Sequence, residues 1–392
     1  MSKLKIALII GLVFIVAAVM VIIPGCKTAT TAETTAAAAT TAAATTAAAA
    51  TTAAATTAAA ATTAAAAGKT YDDFRKMALA GKYDGEPAKG HTLAFANIIK
   101  SFPFCTSVEN NIVEEWKLAG GADADLTVLD NAADATIAIQ NKDIIFNKKP
   151  EVFLEFQFDA KINDQIAQEA KGKGIFMIAI DVPVGDFPFM GVNNYGTAVL
   201  TGDWAIDQIE KNGGIDKVDL VLYMTNPTVG ETVFQRIKGS VDEFVKKYGD
   251  ALNPDKAGGK GVWAVVDSSS TEKAKTDFGN VLAKYPNAKN IVIFALNDQS
   301  ASGFQAAADI AGRWDADNML VCSQGLDELG MQLIRDGIVD GDSTYFPEKY
   351  GEYLIPGSLA YMYGGAGAVP KQMFVDNVII TKANIDQYYP AK

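Results

Sequence analysis

From about His91 onwards, short apolar runs alternate with amphipathic segments. The runs fall at residues 92–96, 126–129, 152–155, 175–180, 220–223, 262–266, 291–295 and 319–322. Each is too short for a buried helix and reads as a buried strand. Between them the spacing of apolar positions predicts helices at 108–118, 162–170, 198–210, 234–248, 271–285, 300–311 and 328–335. Strand and helix in alternation is the pattern of parallel sheets with crossover helices. Eight such units exceed what one open sheet usually holds, which leaves a (β/α)8 barrel or two sheets. Phe189-Met190-Gly191-Val192 argues for two sheets. It is a short extended piece, midway along the array, with no room for a helix after Asp181, as a crossover between sheets would be. The expected fold is α/β: two doubly wound, Rossmann-like parallel-sheet lobes joined by a hinge, with a ligand cleft between them.

The first 68 residues follow another pattern. Met1 to Lys5 is basic, Ile6 to Ile23 is an unbroken apolar run, and Pro24-Gly25-Cys26 follows. A basic start, an apolar stretch and a small-residue stop make an export segment. It resembles a bacterial lipoprotein signal, with Ile23-Pro24-Gly25-Cys26 as the lipobox. That resemblance implies a signal peptide at 1–25 and lipidation of Cys26. An uncleaved transmembrane anchor is the alternative, since the run is almost long enough to span. Both place the remainder outside the cytoplasmic membrane. Residues 26–68 are almost entirely Thr and Ala, with no apolar stripe to pack. They read as a disordered tether whose use would be reach.

Composition narrows the chemistry. The chain has 392 residues, with Lys+Arg 34 against Asp+Glu 46, a formal net charge of −12. That disfavours nucleic acid, which needs clustered cations. The single histidine, His91, nearly excludes multi-His metal sites and leaves any Ser-His-Asp triad one candidate. Three cysteines, Cys26, Cys105 and Cys322, cannot make a disulfide framework, and Cys105 and Cys322 are expected as free thiols.

In open α/β sheets, ligands bind beyond the carboxyl ends of the strands. Those ends carry Asn97 and then Ser101-Phe102-Pro103-Phe104-Cys105; Glu155-Phe156-Gln157; Asp181; the loop 225–230 followed by Gln235-Arg236; Asn297-Asp298; and Ser323-Gln324-Gly325. Two phenyl rings stand among amide, carboxylate and guanidinium groups. No nucleophile–base pair and no glycine-rich phosphate loop occurs among them. Glu155 and Gln157 alternate with Phe156, so an extended chain turns only one side inward, and Gln157 is favoured for the cleft. Asp298 is expected as the cap of the helix near Ser300, leaving Asn297 for ligand.

Taken in order, Ser101-Phe102-Pro103-Phe104, Ile180-Asp181, Val192-Asn193-Asn194-Tyr195-Gly196, Arg236-Ile237-Lys238-Gly239, Leu296-Asn297-Asp298 and Asp336-Gly337 resemble the type I periplasmic binding proteins. The resemblance is to the ribose-binding-like branch serving ABC importers, and it covers about His91 to the C-terminus. It implies a first lobe of 69–192 plus about 346–370 and a second of 193–345 plus about 371–392. It implies that Phe104, with Phe102 beside it, stacks on a sugar, and that Asp181, Arg236 and Asn297 bond its hydroxyls. Val182 stands where some members carry arginine. Gln324 stands where an aspartate is common, and Tyr345 where ribose binders have glutamine. Asn97 and Gln157 complete the expected ligand set.

The implied function is capture of a monosaccharide or sugar-like molecule by hinged closure, for delivery to an ABC permease. The protein would be a monomer, lipid-anchored outside the bacterial cell membrane, with no cofactor, no metal and no catalysis. Its alternatives are a receptor for a nucleoside, polyol or autoinducer-type ligand serving a sensor, or a secreted glycan hydrolase. The last would need two carboxylates facing one bond, for which Asp181 and Glu155 are the available pair. In the open cleft Asp181 is expected to face water.

Overall fold

The computed structural model describes residues 68–391. The signal expected at 1–25, Cys26 and all but the last residue of the tether at 26–68 lie outside the described residues.

Two six-stranded sheets are built from twelve strands. The first contains β1 (Leu93–Asn97), β2 (Leu126–Asp130), β3 (Val152–Glu155), β4 (Phe176–Ile180), β5 (Phe189–Gly191) and β11 (Gln372–Phe374), in the order β11-β5-β4-β3-β1-β2. The second contains β6 (Leu220–Thr225), β7 (Gly261–Val265), β8 (Ile291–Phe294), β9 (Met319–Gly325), β10 (Gly341–Thr344) and β12 (Val378–Ile380), in the order β12-β10-β9-β8-β6-β7. Pairing is parallel except between β10 and β12. The helices of the first lobe are α1 (Tyr71–Leu79), α2 (Pro103–Leu118), α3 (Ala135–Lys148), α4 (Ala160–Lys173) and α10 (Gly351–Gly364). Those of the second are α5 (Asn194–Lys211), α6 (Gly230–Tyr248), α7 (Thr271–Lys284), α8 (Asp298–Ile310), α9 (Glu328–Asp336) and the short α11 (Ile385–Tyr388).

The central strands β1, β3, β4 and β8 read LAFAN, VFLE, FMIAI and IVIF and are buried throughout. Strands covered by helices on both faces lose the alternation of a half-exposed sheet, which is why the runs are continuous. Each lobe therefore has its own core. β5 is the short extended piece expected at 189–192, and after it the chain enters α5 of the second lobe. The chain returns to the first lobe after β10, and crosses once more after β11. Because β11 pairs with β5, that last crossing follows Phe374 and lies beyond the boundary placed near 370.

Among the elements that escape the hydrophobic pattern, three show why. In α3, Ile137, Ile139, Ile144 and Ile145 are β-branched and poor helix formers. Asp134 nevertheless caps its N-terminus by accepting from the Thr136 and Ile137 amides, and Ile145 and Phe146 are buried. β10 is Gly-Asp-Ser-Thr, polar in sequence yet wholly buried. α10 is buried along most of its length and so shows no amphipathic stripe.

Candidate functional site

A cavity of about 580 Å³ lies where the carboxyl ends of both sheets meet. This is the position the doubly wound topology provides, and the volume is ordinary for a small-molecule site. The lobes touch around it. The Phe104 amide donates across the cleft to Asp327 Oδ2 at 3.3 Å. A Cβ placed on Gly230, at the start of α6, would stand 3.2 Å from Ala160 Cβ at the start of α4; Gly230 also has φ +76°. Glycine there allows both the turn and the close approach.

Seven of the nine expected ligand residues line this cavity: Phe102, Phe104, Asp181, Arg236, Asn297, Gln324 and Tyr345. Pro103 occupies the first turn of α2, so Phe102 and Phe104 stand at the mouth of that helix. The Phe104 ring meets Phe156, Tyr345 and Tyr350 edge-on, at centroid distances of 6.5, 6.2 and 5.7 Å.

Asp181 follows β4 and has φ +56°, a conformation that turns its carboxylate back toward β5. It is buried, and Tyr350 donates its hydroxyl proton to Oδ1 at 2.9 Å. With the lobes in contact, Tyr350 from the return segment covers Asp181; the water-facing Asp181 was expected of the open cleft. Burial pushes the Asp181 pKa up to about 6, even though the Arg236 charge and the Tyr350 hydrogen bond both oppose the rise. Arg236, from α6, sits over the Tyr345 ring at 5.1 Å and donates Nε to Asn194 Oδ1 at 2.9 Å. Gln324 is held at both ends: Tyr345 donates to its Oε1 at 2.7 Å, and its Nε2 donates to the Arg236 carbonyl at 2.7 Å. An amide has two donor protons and two acceptor lone pairs, so half its capacity is left for a ligand.

The cap expected at Asp298 falls on Asn297, which also borders the cavity. Asn297 is the cap of α8: its Oδ1 accepts from the Ser300 amide at 3.0 Å, and its Nδ2 donates to the Ser268 carbonyl at 3.1 Å. Asp298 points inward, where Oδ1 accepts from the Ser323 hydroxyl at 2.7 Å and Oδ2 from the Asp327 amide at 3.0 Å. Burial and the neighbouring Asp342 carboxyl raise its pKa well above the ordinary value. Asp342 is itself pushed up to about 6 by burial.

Asn97 and Gln157 do not reach the cavity wall. Both are fully buried. Asn97 Nδ2 donates to the Cys105 carbonyl at 3.0 Å and to Glu109 Oε2 at 2.9 Å, fastening β1 to the start of α2. Gln157 Oε1 accepts from the Phe158 and Asp159 amides, at 2.7 and 3.3 Å, and braces the turn into α4. Glu155 is also away from the cavity. Burial lifts its pKa to about 8, against a hydrogen bond from Asn131. Phe156, between the two, lines the cavity instead. The period of two was the right signal, read on the wrong side.

The sequence reading also passed over Asp327. It caps α9 with Oδ1, which accepts from the Leu329 and Gly330 amides at 2.8 and 3.1 Å. Its Oδ2 accepts from Gln299 Nε2 at 3.0 Å as well as from Phe104. Helix α2 has no side-chain cap of its own and no acid in its first turn. The carboxylate it lacks is thus supplied from the opposite lobe. An Asp one residue before a helical pattern was the available clue. Cys105 and Cys322 are both buried and unbridged; Cys105 borders the cavity, whereas Cys322 lies in the second-lobe core.

Two lobes closing on one polar and aromatic cavity define a solute-binding architecture. The model of the periplasmic binding protein domain matches residues 93–365, and the chain belongs to that family. Solved structures share the two-lobed type I fold. One is an ABC transporter periplasmic solute binding protein from Actinobacillus succinogenes 130z with bound D-allose (21% identity, 76% of this chain and 100% of that one, TM-score 0.62). Another is a myo-inositol binding protein from Caulobacter bound to myo-inositol (18%, 76% and 96%, 0.63). A third is a periplasmic ribose ABC transporter protein from Conexibacter woesei DSM 14684 (14%, 78% and 96%, 0.62). At these identities the likeness establishes fold alone. No curated protein sequence matches the chain.

Proposed function

We propose that the chain is the extracytoplasmic substrate-binding component of an ABC importer, capturing a sugar or sugar-like molecule by hinged closure. The observation that carries this reading is the division of the cavity wall. Phe104 and Phe156 offer apolar faces from one lobe, and Arg236, Asn297 and Gln324 offer planar hydrogen-bonding groups from the other. A sugar has apolar C–H faces and a ring of hydroxyls, and a buried hydroxyl left unpaired costs about 1–3 kcal/mol. A ligand that engages both walls stabilises the closed form by bonding to both at once. The similar structures with bound D-allose and myo-inositol, and that of the periplasmic ribose ABC transporter protein, support this direction. The ligand is bound and returned unchanged. Asp181 is tied to Tyr350 and Glu155 is away from the cavity, so the pair that a hydrolase would use does not face one bond.

A thermal-shift screen of monosaccharides, polyols and nucleosides on the purified chain tests the reading. A true ligand raises Tm in proportion to ln(1 + [L]/Kd). Nucleosides alone raising Tm would replace the sugar by the nucleoside alternative, and turnover of a bound glycoside would replace binding by catalysis. In this proposal the chain is held at the membrane by lipid on Cys26 and reaches its permease on the Thr/Ala tether. Cys26→Ser should then release the protein from membranes or leave its precursor uncleaved. Membrane attachment retained with Met1 in place would point to an uncleaved anchor.

A further inference from the structure

The cavity is longer than one sugar ring needs. In the second lobe its lining comes from the ends of five neighbouring strands: Tyr345 after β10, Gln324 on β9, Asn297 after β8, Asn226 after β6 and Ser268 after β7. Four interstrand spacings amount to about 19 Å. In the first lobe it runs from Asp181 after β4, past β3 and β1, to Ala132 and Ala133 after β2. Three spacings amount to about 14 Å. A single pyranose with its hydroxyls spans roughly two spacings. Seated between Asp181, Arg236 and Phe104, it leaves the β2 and β7 end of the cavity unfilled.

That outer end has its own chemistry. The chain crosses between lobes beside β5, β10 and β11, so β2 and β7 are the edges farthest from the crossings. The second lobe lines the outer end with Asn226, Thr228, Asp267, Ser268, Ser269 and Lys273, and the first with Ala132, Ala133 and Ile98, whose carbonyl accepts from the Ala133 amide at 2.7 Å. It contains hydroxyls, an amide and an ion pair, Lys273 Nζ to Asp267 Oδ2 at 3.1 Å. The Lys273 charge is thereby balanced, and Asp159 also borders the cavity, so an anionic group such as phosphate is not what this end is made to hold. Mixed donors and acceptors with no net positive charge suit more hydroxyls.

We infer that the ligand has two linked sugar units, one in the aromatic inner end and one in this polar outer end: a disaccharide or comparable glycoside. The inference rests on the sugar reading proposed above and adds its size. Calorimetry on the purified chain tests it, with glucose, galactose and ribose set against maltose, cellobiose and lactose. At least one disaccharide is expected to bind tenfold or more tightly than its component monosaccharides. Lys273→Ala, which removes an outer contact, and Thr228→Leu, which narrows the outer end from an exposed position, should each shrink that ratio by roughly tenfold. A monosaccharide binding as tightly as its disaccharides, with both variants silent, overturns the second unit and leaves the sugar reading standing. Binding by neither set overturns both.

Discussion

The two lobes share a topology but furnish different halves of the cavity. The first contributes Ile98, Phe102, Phe104, Phe156, Phe158 and Val182, an apolar wall interrupted chiefly by Asp181 and Asp159. The second contributes Asn226, Arg236, Asn297, Gln299, Gln324 and Asp327 among other polar groups. Neither half would hold a polyhydroxylated ligand well alone. One supplies contact area with little directional demand, and the other supplies directional bonds with little contact area. The difference teaches that selectivity for hydroxyl pattern should reside in the second lobe, and that the first should matter in proportion to the ring face it covers.

The sharpest way to break that comparison is to remove one charged group from each side, Arg236 from the second lobe and Asp181 from the first. Arg236→Ala and Asp181→Ala should each weaken ligand affinity by about 1.5–3 kcal/mol, roughly one to two decades in Kd, read by calorimetry. The two variants should part company without ligand. Asp181→Ala strands the buried Tyr350 hydroxyl and should lower the apo Tm, whereas Arg236→Ala removes a half-buried group and should move it less. Equal apo melting temperatures would show that Tyr350 does not depend on Asp181. Phe104→Ala comes next, with a loss of about one decade or less, since it removes contact area and an aromatic pair worth about 0.5–1.5 kcal/mol. A larger loss than for Arg236→Ala would invert the division between the lobes.

Acidity marks one first-lobe residue in a subtler way. Burial raises Glu155 to about 8, whereas Asp181 of the same lobe and Asp340 and Asp342 of the second rise to about 6. A carboxyl whose pKa rises on folding holds its proton more firmly in the folded chain. Its stabilising contribution is complete below the unfolded pKa, near 4, and is lost as pH climbs through the folded value. The apo Tm should therefore decline from about pH 5 to about pH 8. Glu155→Gln fixes the neutral form and should flatten the part of the decline nearest pH 8 while leaving the part near pH 6. An unchanged profile in that variant would contradict the raised Glu155. The smallest expected effect on binding is that of Gln157→Ala, which should leave Kd within twofold of wild type and lower Tm through loss of its bonds to the Phe158 and Asp159 amides.

The architecture was legible because buried parallel strands are written as continuous apolar runs, and most of them lie within a residue or two of their expected places. β10 was not legible, because Asp342, Ser343 and Thr344 are buried by tertiary packing that no local pattern encodes. In the site, strand ends identified Phe104, Asp181, Arg236 and Gln324, since topology alone fixes where such residues go. Asn97 and Gln157 stand at the same strand ends yet fasten neighbouring backbone, and spacing cannot distinguish a side chain aimed at a cavity from one aimed at an amide. The cap fell on Asn297 and not on Asp298 for a related reason: both are good caps, and a one-residue shift of the helix start decides between them.

The bond from the Phe104 amide to Asp327 joins the lobes through two groups of the protein itself. It adds to the closed form a contact that does not pass through a ligand, and so shifts the balance between open and closed toward closed. The conformational cost that dilutes apparent affinity, Kd divided by the competent fraction, is correspondingly reduced. The same bias erodes contrast. In the importer role proposed above, a permease that sensed only closure would distinguish loaded from unloaded protein less sharply.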